Sequence, residues 1–81
     1  MKIELLLFAN SKDLFGKSQI SIELPDEATV GDLKAALVAQ KPNAALLIQR
    51  CAFSVDQRYA TDTTLLLAKH EIAMIPPVSG G

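Results

Sequence analysis

Two consecutive prolines, Pro76-Pro77, end the last apolar segment of the chain, and Val78-Ser79-Gly80-Gly81 follow. Proline lacks a backbone donor, and it pushes the residue before it toward an extended path. The segment Glu71 to Ile75 therefore reads as a final strand that stops at Pro76. The residues beyond it cannot add a further element to the core. Gly80 and Gly81 carry no Cβ, so their backbone can approach another surface closely. Residues 78–81 are expected to form a flexible thread bearing a free carboxylate, with a reach of about 13 Å when extended. A compact domain is expected over residues 1–77.

The rest of the chain must build that domain with little material. Eighty-one residues make one domain, and a chain of this size buries only about 60% of its unfolded surface. The apolar fraction is 49%, but the only aromatic residues are Phe8, Phe15, Phe53 and Tyr59. The core must be mostly Leu, Ile, Val and Ala. Lys2 to Ala9 fits a first strand, and its run Leu5-Leu6-Leu7-Phe8 suggests a central one. Asn10 and Ser11 offer helix caps for a short turn through Asp13, Leu14 and Phe15, ending at Gly16. Gln19 to Leu24 alternates, with Ile20, Ile22 and Leu24 on one face. Pro25-Asp26 breaks that strand.

Thr29 and Asp32 have capping-box spacing, and a helix to about Gln40 carries Val30, Leu33, Ala36 and Leu37 on one stripe. Acids at Asp26 and Glu27 favour the start of that helix, and Lys41-Pro42 ends it. Asn43 to Gln49 stays ambiguous, with a helical turn open at Ala44 to Leu47. Ala52 to Val55 reads as a strand, Asp56-Gln57 as a turn, and Arg58 to Ala60 as a short strand. Asp62 suggests a turn, and Leu65 to Leu67 is an apolar stretch. The order is a β-hairpin, one long helix, then further strands. It implies an α+β fold in which one main helix covers a mixed sheet. The first and last strands are the most apolar and belong side by side, in parallel, at its centre. That arrangement is the β-grasp, or ubiquitin-like, fold.

Several function classes fall away on composition. Eight basic and nine acidic residues leave a net charge of −1 with no basic run, which argues against nucleic acid as a partner. No apolar stretch approaches the roughly 18 residues of a membrane span. Met1-Lys2-Ile3-Glu4 reads as the start of a strand and not as a signal peptide. The single cysteine, Cys51, and single histidine, His70, give no zinc set. Cys51, in the apolar stretch Cys51-Ala52-Phe53, is expected to act as a small hydrophobe, and a cytoplasmic, reducing location follows. His70, between Lys69 and Glu71, is expected to be a solvated surface residue.

The opening strand ending Leu7-Phe8-Ala9, the helix start Thr29-Val30-Gly31-Asp32-Leu33, the stretch Val55-Asp56-Gln57 and above all Pro76-Pro77-Val78-Ser79-Gly80-Gly81 resemble the small subunits of molybdopterin synthase. These are ubiquitin-like sulfur carriers. The resemblance spans the whole chain. It departs at Lys69-His70, where members often have Gly-Asp, and at Asp56, where Asn is common. The resemblance implies a carrier with no bound cofactor. An activating enzyme of the ubiquitin-activating type, an adenylyltransferase, would use ATP to adenylate Gly81, and sulfur would replace AMP to give a thiocarboxylate. The tail would then enter the larger synthase subunit, in a heterotetramer, and donate sulfur to a pterin precursor to build the dithiolene of the molybdenum cofactor. It further implies that Gly80 and Gly81 are the reacting end and that Phe8, Tyr59, Ile75, Pro76, Pro77, Val78 and Ser79 meet the larger subunit, which holds the catalytic residues. Core packing is the alternative for Phe8, Tyr59 and Ile75. Alternative functions are sulfur delivery for thiamine or tRNA thiolation, a ubiquitin-like protein modifier, and an interaction module with an inert terminus.

Overall fold

The computed structural model describes residues 1–77. The four residues assigned above to the tail, 78–81, lie outside the described residues. Five strands, β1 (Lys2–Leu7), β2 (Gln19–Glu23), β3 (Ala52–Val55), β4 (Arg58–Tyr59) and β5 (Ile72–Ile75), form one sheet in the order β2-β1-β5-β3-β4. The outer pairings are antiparallel and β1 runs parallel to β5, with Leu5 facing Ile72 and Leu7 facing Met74. The expected mixed sheet, with first and last strands adjacent and parallel, is what the chain forms.

Helix α1 (Asn10–Phe15) follows β1, α2 (Val30–Gln40) follows β2, and α3 (Ala45–Arg50) precedes β3. Thr29 caps α2 in a complete capping box: its hydroxyl accepts from the Asp32 N–H, and the Asp32 carboxylate accepts from the Thr29 N–H at 2.9 Å. Val30, Leu33 and Leu37 are buried on one stripe, with Ala36 partly buried beside them. They pack on Ile3, Leu5, Leu7, Ile22, Phe53, Ile72 and Met74 in a single core. The Gly31 N–H donates to the Asp62 carbonyl at 2.9 Å, and a Cβ on Gly31 would meet that oxygen at 3.3 Å, so a small residue suits this position.

Two expectations need correcting, at the end of the first strand and at the cap of the first helix. β1 ends at Leu7, short of Ala9. Asn10 and Ser11 are not caps: Ala9 holds the N-cap position of α1, and Ser11 lies within the helix. The ambiguous segment is helical, a 3-10 turn at Pro42–Ala44 running into α3. Leu65 to Leu67 forms no strand of the sheet. Leu66 alone is buried, its N–H bonded to the Ala28 carbonyl, while Leu65 and Leu67 are exposed. A single bridge between Thr29 and Leu65 ties this segment to the start of α2.

Candidate functional site

Strand alternation gives the sheet two faces. One lies under α2. The other is uncovered, and the register sets its composition. A row across all five strands reads Gln19, Leu6, Ala73, Ser54, Tyr59. One step further along, Ala52 pairs with Ile75. The two small residues, Ala73 and Ser54, form the floor of a shallow depression of about 360 Å³, with Phe8, Ile75 and Tyr59 around it and Gln57 and Glu71 also on its lining. The three residues the sequence nominated as partner contacts thus meet at one place. Phe8 is 47% exposed and Tyr59 79% exposed, and Ile75 is half-buried, so core packing does not account for the two aromatic rings. Exposed aromatic rings grouped over a floor of small residues are the kind of surface that a partner covers.

Each wall is held by local structure. Tyr59 follows the two-residue turn Asp56-Gln57, whose φ values of 52° and 68° are both left-handed. That is the hairpin turn whose twist matches its flanking strands. Asp56 secures it: its N–H donates to the Glu71 carbonyl, and its carboxylate accepts from the Glu71 N–H, both at 2.8 Å. His70, expected to be solvated, is half-buried. Its Nδ1 accepts from the Leu67 N–H at 3.0 Å, and its Nε2 lies 3.9 Å from the Asp56 carboxylate. The imidazole closes the turn at Lys69-His70 by a side-chain bond. Phe8 sits just past β1, its N–H reaching the Met74 carbonyl at 3.4 Å and so prolonging the central ladder.

The floor residues Ala73 and Ser54, with Gln57 and Glu71 at the rim, were not singled out from sequence. The available signal was the small residue in Ile72-Ala73-Met74-Ile75, but only the cross-strand register shows what Ala73 stands beside. Pro76 is buried and Pro77 exposed at the end of β5 next to Ile75. Val78, Ser79, Gly80 and Gly81, the remaining nominated residues, lie outside the described residues.

The other titratable features have structural accounts. Cys51 is buried, and burial raises its thiol above the ordinary value, so it is a poor nucleophile at neutral pH. The Ser21 hydroxyl and then the Gln19 amide, both hydrogen-bonded to Glu4, hold that carboxyl below its ordinary range. Among the described residues, no three His, Cys, Asp or Glu side chains gather as a metal site, and no helix is long and apolar enough to cross a membrane.

The model of the ThiS family matches residues 5–81. A molybdopterin synthase sulfur carrier subunit of Chlamydomonas reinhardtii is 36% identical, the match covering 100% of each chain. Among solved structures, small archaeal modifier protein 1 of H. volcanii superposes with a TM-score of 0.78 at 26% identity, over 95% of this chain and 98% of that one. A chain in the complex of subunits 1 and 2 of the molybdopterin-converting factor from Helicobacter pylori 26695 gives a TM-score of 0.68 at 22% identity, over 100% of both chains, a likeness of fold.

Proposed function

This chain belongs to the ThiS family, among the molybdopterin synthase sulfur carrier subunits, and from that premise we propose that it delivers sulfur from the carboxyl group of Gly81 to a pterin precursor of the molybdenum cofactor. The observation that carries the reading is the extent of the family match, which runs through Gly81 and takes in the diglycine. The apolar depression at the end of β5 where the tail begins supports it. A carboxylate at neutral pH resists nucleophiles because it is anionic. An adenylyltransferase of the ubiquitin-activating type joins it to AMP from ATP, releasing pyrophosphate and creating a good leaving group. A sulfur nucleophile then attacks the carbonyl carbon; the C–S bond forms as the C–O bond to AMP breaks. With no side chain on Gly81, attack on that carbon is unobstructed.

The chain holds no resident cofactor in this reading. ATP is consumed by the activating enzyme, and the catalytic groups belong to the larger synthase subunit. That subunit covers Phe8, Tyr59 and Ile75, receives Pro76 to Gly81, and assembles with this chain as a heterotetramer in the cytoplasm. Similarity to a small archaeal modifier protein keeps a second reading in view, in which Gly81 forms isopeptide bonds to lysines.

Single-turnover sulfur transfer from thiocarboxylated protein to the precursor tests the proposal. Deleting Gly81 withdraws the reacting carbon by about 3.3 Å, where about 1 Å of misplacement can cost a hundredfold. Transfer is expected to vanish with the melting temperature almost unchanged. A truncated chain that delivers sulfur at the parent rate would falsify the carrier mechanism. Gly81-dependent high-molecular-weight conjugates in cells, without the mass change of one oxygen replaced by sulfur, would favour the modifier.

A further inference from the structure

The join between β1 and α1, beside the depression, holds a non-glycine residue in a glycine conformation. Ala9 has φ 50° and ψ −129°, and the Ser11 N–H bonds to the Phe8 carbonyl at 3.1 Å. Phe8 to Ser11 is thus a type II′ turn, whose first central position normally belongs to glycine. Here it is an alanine, and both peptide groups flanking it are pinned. On one side, the Phe8 carbonyl accepts a second bond, from the Ser11 hydroxyl at 2.5 Å, and Ser11 is fully buried. On the other, the Lys12 N–H donates to the Ala9 carbonyl at 3.1 Å. The residue that this elbow presents is Phe8, its ring 47% exposed at the edge of the depression.

Strain of this kind persists only where the surroundings over-determine it, and it gathers at functional positions. We propose that Ala9 is a positioning residue: its methyl group, locked into a glycine conformation by the Ser11 clamp, holds Phe8 in the orientation the larger synthase subunit binds. The inference rests on the reading of Phe8 as a contact for that subunit. Glycine at this position relieves the steric conflict and also opens neighbouring backbone conformations. A fraction of molecules then turns Phe8 away, and the apparent dissociation constant rises in inverse proportion to the fraction that remains competent. Stability and affinity therefore move in opposite directions, whereas a turn that served folding alone would change only stability.

The experiment compares the parent chain, Ala9→Gly, Phe8→Ala and the double variant by thermal melting and by calorimetric titration with the purified larger subunit. Ala9→Gly is expected to raise the melting temperature by about 4 °C and to weaken binding about threefold or more. In the Phe8→Ala background the melting gain should persist and the affinity loss should disappear. Undiminished affinity of Ala9→Gly, an affinity loss that survives in the double variant, or a melting temperature that does not rise would each overturn the proposal. Parent-like affinity of Phe8→Ala would overturn the premise about Phe8, leaving the sulfur-carrier reading to the Gly81 deletion.

Discussion

The uncovered face of the sheet has two halves made by the same alternation, and their chemistry is opposite. On β1 and β2 the outward residues answer one another: the Glu4 carboxylate accepts from the Ser21 hydroxyl at 2.6 Å and from the Gln19 amide at 3.4 Å. On β5, β3 and β4 the corresponding positions are Ala73, Ile75, Ser54 and Tyr59, with Phe8 alongside. Leu6, paired with Gln19 on one side and Ala73 on the other, marks the boundary. The first half pairs the Glu4 carboxylate with Ser21 and Gln19. The second leaves aromatic surface in water, an arrangement that association can relieve. A difference of a few side chains on one continuous sheet thus separates a hydrogen-bonded polar half from one with exposed aromatic rings.

The sharpest way to break this contrast is to truncate one residue in each half. Tyr59→Ala removes an exposed anchor and should cost about 2 kcal/mol, or roughly thirtyfold, in affinity for the larger subunit. Its melting temperature should stay close to the parent's, because the ring is largely in water. Ser21→Ala, in the polar half, should leave affinity as it was; equal losses from both variants would erase the distinction. A smaller effect is expected from Ala73→Leu, which fills the floor between Phe8, Ile75 and Tyr59. Overpacking of this kind costs on the order of 1–3 kcal/mol, so titration should show affinity lower by about tenfold or more. Unaltered binding would mean that nothing from the partner descends to Ala73.

The smallest effect concerns Glu4→Gln and appears in pH dependence alone. The folded chain holds the Glu4 carboxyl below its ordinary range through Ser21 and Gln19. Its contribution is therefore present above the ordinary carboxylate range and lost as pH falls through the lowered value. The melting temperatures of parent and variant should converge as the solution is acidified, with affinity for the larger subunit equal at neutral pH. A constant gap across that range would show that Glu4 is not stabilised by its neighbours.

What could be foreseen from the chain divides along the range of the interactions involved. Thr29 and Asp32 announce their helix because the capping box is closed within four residues. The strand ending at Pro76 is legible because proline acts on its own backbone. Phe8, Tyr59 and Ile75 were brought together through the resemblance, and the register then supplied the reason they meet. Ser11 has the composition of a cap, but its hydroxyl turns back to the Phe8 carbonyl and fixes an elbow instead. Asn43 to Gln49 gave no clear period because Pro42 starts a 3-10 turn before the helical hydrogen bonding settles. Ala73 and Ser54 stayed invisible as a floor, since only pairing between strands distant in sequence places them side by side.

The central position of β5 has a mechanical consequence. The strand that precedes the tail lies between β1 and β3, with ladders on both sides. Tension applied to the chain beyond Pro77, as when a partner draws the terminus inward, acts along the strand axis and perpendicular to hydrogen bonds that share the load. Such bonds yield together in shear and cannot be peeled open one after another. Force entering at Pro77 is thus shared by the two ladders that flank β5.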